Sequence, residues 1–210
     1  MTSSTGDHLE TERKYDADAD FVLPKLGSLP ELGGRRPADP KRIYLSATYF
    51  DTEDLALIQH KITLRRRVGG DDEGWHLKLP VRTDTRQELH APLDEGGDGN
   101  VPARLAAQIE DITAGRRLRP VAILDTERTV VTLPGPSGDA LVEVADDLVT
   151  AVRFSEPDGG PMTWREIEVE ALSPGPGAAA MLETVGKVLR EAGARPSAAG
   201  SKLARVLSAG

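Results

Sequence analysis

The run Leu9-Glu-Thr-Glu-Arg-Lys-Tyr15 sets two carboxylates and an ammonium at alternate positions. Successive side chains of an extended strand point to opposite faces, so Glu10, Glu12 and Lys14 share one face and Leu9, Thr11, Arg13 and Tyr15 the other. Carboxylates two residues apart stand about 7 Å apart along a strand. At that spacing they can hold a hard divalent cation, with Lys14 one step further on to meet a phosphate. A charged strand face also arises for solubility alone, so the other strands must decide between the two readings.

The same alternation recurs. Arg65 and Arg67 share a parity that Leu64, Arg66 and Val68 oppose, and His76 and Lys78 oppose Trp75, Leu77 and Leu79. Arg86, Glu88 and His90 oppose Gln87, Leu89 and Ala91. Glu143 and Asp147 oppose Val142 and Val144, and Glu166, Glu168 and Glu170 oppose Ile167 and Val169. An antiparallel sheet with one wet face produces this pattern too. The density of Arg and Glu, in place of Thr, Ser and Lys, favours a closed barrel with its charged faces inward and its apolar faces outside under helices. Such a lumen suits a highly charged ligand.

The elements that must position these residues follow from pattern and punctuation. Strands are expected at Leu9–Tyr15, Lys41–Asp51, Lys61–Val68, Trp75–Leu79, Arg86–Leu93, Pro120–Leu133, Asp139–Asp147, Leu148–Ser155 and Thr163–Leu172. Short helices are expected from Asp18 or Asp20 to Leu26 and over Glu53–Gln59, with longer ones over Val101–Ala114 and Gly177–Ala192. Ser201–Leu207 closes the chain as a short helix, and Gly27–Pro40 reads as a loop. Residues 1–7 read as a disordered start and 8–208 as a single domain.

Composition narrows the class. The 210 residues carry a formal charge of −8 and no cysteine, which excludes a disulfide framework, a thiolate metal site and a cysteine nucleophile. The acidic balance argues against general nucleic-acid binding. No apolar run approaches about 18 residues and no signal-peptide pattern opens the chain, so a soluble cytoplasmic protein without a membrane partner is expected. The histidines at 8, 60, 76 and 90 lack metal-ligand spacing.

The ordered set Leu9–Tyr15, Tyr49-Phe-Asp-Thr52, Ile62-Thr-Leu-Arg-Arg-Arg67, Gly74-Trp-His-Leu-Lys78, Glu143-Val-Ala-Asp-Asp147, Trp164-Arg-Glu-Ile-Glu-Val-Glu170 and Ser201-Lys-Leu-Ala-Arg205 resembles the CYTH family, also called triphosphate tunnel metalloenzymes. The resemblance runs from about Leu9 to Leu207. It implies an α+β, mainly antiparallel β fold: an eight-stranded closed barrel that binds a triphosphate with Mg²⁺ or Mn²⁺. Thiamine triphosphatases, inorganic triphosphatases and class IV adenylate cyclases belong to this family. Members also occur fused to a histidine-rich helical CHAD domain associated with polyphosphate, and this chain is expected to stand without one.

A triphosphate carries roughly four negative charges and needs cations converging from several strands. Lys14, Arg65, Arg67, Lys78, Arg86 and Arg128 are the candidates, arginine being suited to phosphate oxygens by its planar fork. Lys202 and Arg205 join them on the strength of the resemblance. Arg66, of opposite parity, serves as an internal control. The metal candidates are Glu10, Glu12, Glu143, Asp147, Glu168 and Glu170, oxygen donors of the kind Mg²⁺ takes. Glu166 and Asp146 are expected to face solvent, and Glu88 to orient Arg86.

The expected reaction is in-line attack of water on a terminal phosphorus. Lys78, with a lowered pKa, is the candidate general base; Tyr44 or Tyr49 would orient water. The two tryptophans, Trp75 and Trp164, are expected to pack outside the lumen. The scarcity of lumen aromatics favours inorganic triphosphate, split to diphosphate and phosphate. The alternatives are a nucleoside or thiamine triphosphatase, a class IV-type cyclase, and a non-catalytic module binding polyphosphate or nucleotide.

Overall fold

A computed structural model of the protein describes residues 8–82, 85–97, 99–156 and 160–208. The expected disordered start, 1–7, lies outside the described residues. The alternating segments form strands β1 (His8–Ala17), β2 (Lys41–Asp51), β3 (Thr63–Val68), β4 (Gly74–Arg82), β5 (Thr85–Ala91), β6 (Arg119–Pro134), β7 (Ala140–Arg153) and β8 (Met162–Ala171). They pair antiparallel in the order β5-β4-β3-β2-β6-β7-β8-β1. β1 closes the ring by serving two edges, His8–Thr11 against β5 and Glu12–Ala17 against β8. A two-residue strand, β9 (Arg195–Pro196), adds beside Tyr15 and Asp16. Closure removes the open sheet edges that would otherwise template pairing with other chains.

The apolar parity of the strands is buried outside the barrel by helices. Helix α4 (Pro176–Glu191) repeats apolar residues at helical spacing, and Met181, Leu182, Val185 and Leu189 pack on Val142, Val144, Ile167, Val169 and Tyr15. At Gly186 the strand comes so close that an added Cβ would meet the Tyr15 hydroxyl at 2.1 Å. A second outer cluster packs Leu64, Trp75, Leu77 and Leu89 under the short helices α1 (Ala56–Gln59), α2 (Ala103–Ala107) and α3 (Glu110–Thr113). Each of these large side chains contributes about 1.5–3 kcal/mol by leaving water.

The third cluster lies on the lumen parity. Ala47, Tyr49, Ala122, Leu124, Val149 and Ala151 face inward and meet Leu203 and Val206 of α5 (Lys202–Ser208). Helix α5 therefore closes one end of the barrel with an apolar plug, and the charged layer begins above it at Lys202.

Four local expectations are corrected. The helix from Asp18 or Asp20 to Leu26 does not form: Pro24 would break it, and the segment instead makes 3-10 turns at Leu26–Ser28 and Pro30–Leu32. Leu26, Leu29 and Leu32, three residues apart, fit the three-residue turn of that helix and enter the α4 cluster. Val101–Ala114 splits into α2 and α3 at Ile109, whose φ of −124° leaves the helical range. Asp139–Asp147 and Leu148–Ser155 are one strand, β7, because its alternation continues unbroken through Val149 and Ala151. Glu53–Gln59 is helical only from Ala56. No helix among the described residues is long and apolar enough to cross a membrane.

Candidate active site

The lumen above the α5 plug is a cavity of about 750 Å³. Its charge is divided between two walls. Adjacent strands β3, β4 and β5 contribute Arg65, Arg67, Lys78 and Arg86 around Glu88, whereas adjacent strands β8 and β1, with β7, contribute Glu168, Glu170, Glu10 and Glu143 around Lys14. Between them β2 and β6 present an aliphatic strip, Ile43, Leu45 and Val130, with Leu172 nearby and the cations Arg128 and, at the rim, Lys41. Arg66 points to the outer face, opposite Thr48 and Trp75 in the pairing, as its parity requires.

Arg65 is the least committed cation. Among the described residues it has no carboxylate within ion-pair distance, and its one hydrogen bond is a long donation, 3.4 Å, to the Tyr49 hydroxyl. Its Nε is buried without a partner. Arg67, only 5% exposed, pairs with the carboxylate of Asp72. Arg86 donates to the Gly200 carbonyl.

Lys78 overturns one expectation. Burial alone would lower its pKa, but Glu88, Glu10 and Glu12 outweigh burial and hold it above the ordinary lysine value. Its Nζ lies 2.7 Å from Glu10 and 3.7 Å from Glu88. An ammonium so paired is a proton donor and a charge to phosphate, not a base. The Glu88 carboxylate sits 2.6 Å from Nδ1 of His76, while Arg86 donates to the Gly200 carbonyl. Tyr44 is exposed on the outer face, away from the charged layer. Tyr49 is buried beside the plug but also lines the cavity, its hydroxyl accepting from Arg65.

At the base of the lumen the acids are already neutralised. Lys202 Nζ stands 2.9 Å from Asp147, 2.7 Å from Glu166 and 2.8 Å from Glu168. Arg128 adds a two-pronged contact to Asp147, both at 2.7 Å, and reaches Glu168 at 2.7 Å. Burial would raise the Glu168 carboxyl, yet Lys14, Lys202 and Arg128 hold it well below the ordinary range. Glu166 thus does not face solvent; its parity is that of Glu168, and it takes Lys202 and the Trp164 indole N–H. Trp164 shares that inward parity and packs beside the plug, whereas Trp75 lies in the outer cluster as expected. Asp146 is on the outer face but paired with Arg165 at 2.7 Å. Arg205 is not in the lumen: it pairs with Asp16 and its guanidinium covers the Trp164 ring at 5.5 Å. Three residues along α5 it lies about 4.5 Å further down the axis than Lys202, past the cavity.

Higher on the acidic wall the balance reverses. Glu170 is opposite Glu12 on one side and Glu143 on the other in the strand register. No Lys or Arg nitrogen of the described residues lies within ion-pair distance of it. Burial, together with Glu10 and Glu12 and against Lys78, pushes its carboxyl up to about 8. Glu143 is raised as well, by burial with Asp72 and Asp147 outweighing Arg128. Glu10 and Glu12 are each matched to one lysine, Lys78 and Lys14. Hard oxygen donors with too few cations fit a divalent metal, and Glu170 with Glu10, Glu12 and Glu143 would hold it. Asp147, with both oxygens committed to Arg128 and Lys202, does not belong to that group, and neither does Glu168, whose oxygens take Lys14, Lys202 and Arg128. The three acids gathered most tightly, Asp147, Glu166 and Glu168, are the cage of Lys202.

The sign of the pH dependence follows. A carboxyl raised in the fold is ionised in the unfolded chain from about 4.5 upward but in the folded one only near 8, so its contribution to stability declines as pH rises across that window. The metal-stripped protein is expected to lose thermal stability between pH 5 and 8, with Glu170→Gln removing much of the loss and added Mg²⁺ restoring it. An unfolding midpoint that Glu170→Gln and Mg²⁺ both leave unchanged at pH 8 would remove Glu170 from the metal group.

Residues 8–205 match the CYTH domain. An uncharacterized protein of Mycobacterium tuberculosis is 40% identical over 211 residues, covering 96% of this chain and 40% of that protein. The chain thus spans about 40% of the length of this curated relative. A thiamine-triphosphatase of Macaca fascicularis is 40% identical over 75 residues, 34% of this chain and 27% of that enzyme. A solved structure from Bacillus halodurans superposes with a TM-score of 0.65 at 16% identity, covering 97% of this chain and 100% of the other. A Hippeastrum protein described as having a dominant triphosphatase activity superposes with a TM-score of 0.53 at 14% identity, covering 97% and 96%. These two structures share the fold.

Proposed function

This chain belongs to the CYTH domain family, and from that premise we propose that it is a metal-dependent triphosphatase that cleaves inorganic triphosphate to diphosphate and phosphate. The observation that carries the reading is the division of charge across the lumen: uncommitted guanidinium on one wall, carboxylate without enough cations on the other. A triphosphate bridged to the acidic wall by a divalent ion matches both. We read residues 8–208 as one tunnel domain.

Within this reading Arg65, Arg67 and Arg86 take non-bridging phosphate oxygens, and Lys78 and Lys14 stand where wall meets wall. Their positive charge falls where negative charge develops as the terminal phosphoryl group transfers to water. When bound at Glu170 and its neighbours, Mg²⁺ or Mn²⁺ would supply Lewis-acid stabilisation of phosphoryl oxygens. The Lys202 cage and the α5 plug fix the depth to which the substrate enters.

A second reading has its own observation. The aliphatic strip of Ile43, Leu45, Val130 and Leu172 offers apolar contact to an organic group attached to the triphosphate, which favours a nucleoside or thiamine triphosphate. The deciding experiment measures phosphate release from inorganic triphosphate, ATP, thiamine triphosphate and long polyphosphate with Mg²⁺, Mn²⁺ or a chelator. Inorganic triphosphate is expected to be turned over most efficiently, and chelation to abolish the activity. Preference for an organic triphosphate would move the assignment to the second reading, cyclic AMP among the products to a cyclase, and binding without turnover to a non-catalytic module.

A further inference from the structure

We propose that Asp72 is an affinity-setting residue that stands in for a substrate phosphate: its carboxylate holds Arg67, and substrate binding exchanges one anion for the other. This rests on the phosphate-binding reading of the lumen.

Asp72 belongs to the turn between β3 and β4, whose Gly70, Asp71, Asp72 and Glu73 line the cavity at its solvent side. Gly69 makes that placement possible, with φ of 89° and so close an approach that a Cβ would meet the Tyr44 carbonyl oxygen at 2.3 Å. Gly70 then lies on Leu45 and Ile43 of the aliphatic strip. The turn is tied down from below. Arg67 donates to the Asp72 carbonyl at 3.1 Å, His76 Nε2 lies 2.9 Å from the same oxygen, and His90 Nε2 lies 3.2 Å from the Glu73 carbonyl. Lys41 pairs with Asp71 at the rim.

The two partners of the Asp72–Arg67 ion pair differ in what they lose by separating. The Asp72 side chain is 67% exposed and the Arg67 side chain 5%. A carboxylate on the solvent side returns to water at little cost, whereas a buried guanidinium beside Arg65 and Arg128 needs an anion. Asp72 is therefore the exchangeable member. A phosphate that takes the Nη2 of Arg67 must displace it, and after cleavage Asp72 competes with the departing anion for the same guanidinium. The residue thereby lowers affinity for any ligand that occupies the Arg67 end of the lumen and favours product release.

Asp72→Asn removes the charge while keeping the size and the backbone contacts of the turn; Asp72→Ser is a second, smaller variant, and Asp72→Glu restores the charge. Calorimetry with inorganic triphosphate and with diphosphate, in metal-free buffer, is paired with steady-state kinetics and an unfolding midpoint. Both neutral variants are expected to bind triphosphate about tenfold tighter, the scale of a hydrogen bond to a charged group. KM should fall in step, diphosphate should inhibit more strongly, and Asp72→Glu should return to wild-type values. If wild type binds triphosphate but the neutral variants, with unchanged unfolding midpoints, bind it equally or less tightly, this inference is overturned alone. If wild type neither binds triphosphate in metal-free buffer nor turns it over with Mg²⁺, the inference and the function it rests on fall together; if it turns it over without binding in metal-free buffer, a KM unchanged in the neutral variants overturns the inference alone.

Discussion

Lys202→Met is expected to destabilise the protein by about 3–5 kcal/mol, the cost of breaking a buried ion pair on one side only. The ammonium is 8% exposed and serves Asp147, Glu166 and Glu168 at 2.7–2.9 Å. Asp147 keeps Arg128, and Glu168 keeps Arg128 and Lys14, but Glu166 has no second cation among the described residues. The unpaired charge therefore falls mainly on Glu166, and the double variant Lys202→Met with Glu166→Gln is expected to recover a substantial part of the loss. Acidification works in the same direction in the single variant, since protonating a carboxylate removes the charge that lost its partner. Urea denaturation of the three proteins measures the effect. A loss below about 1 kcal/mol for Lys202→Met would mean that the cage is hydrated and that Lys202 is available to a phosphate after all.

Arg65→Ala is expected to lower kcat/KM for the preferred triphosphate by about one to two decades, while Arg66→Ala changes it by about twofold or less. The two arginines are adjacent in sequence and opposite in parity. Arg65 turns its donors into the lumen with a single long contact to Tyr49, whereas Arg66 lies outside between Thr48 and Trp75 in the register. A charge-assisted hydrogen bond to phosphate accounts for about 1.5–3 kcal/mol, which sets the size of the first effect. Arg65→Lys should recover part of the loss and not all of it, because an ammonium replaces the charge but not the planar fork. Equal losses at positions 65 and 66 would show that the inward face of β3 does not hold substrate.

Much of this protein was legible in alternation alone. On a strand parity fixes the face, so Glu10, Lys14, Arg65, Lys78, Arg86, Glu168 and Glu170 could be assigned to one side before any strand was paired with another. The same rule set Arg66 and Trp75 on the other side. The spacing of Met181, Val185 and Leu189 marked α4 for the same reason, a period that leaves one stripe to bury. Glu166, expected to face solvent, instead follows the inward parity of Glu168 to Lys202, and Trp164 follows it beside the plug.

What the sequence could not supply was which charges meet. Lys78 reads as a candidate base and becomes a firmly protonated ammonium because Glu88 of β5 and, brought round by barrel closure, Glu10 and Glu12 of β1 converge on it. Asp147 reads as a metal ligand and is withdrawn from that role by two cations, one across a strand pair and one from the C-terminal helix. Glu170 and Glu168 stand two residues apart on one strand, and their carboxyls shift in opposite directions because Lys202, Lys14 and Arg128 converge on one and not the other. The physical reason is range. The direction in which a side chain points is set within a residue or two of its own backbone. Its charge state depends on groups within several ångströms in space, contributed by segments as far apart as Lys14 and Lys202, and only barrel closure and the α5 plug bring those together.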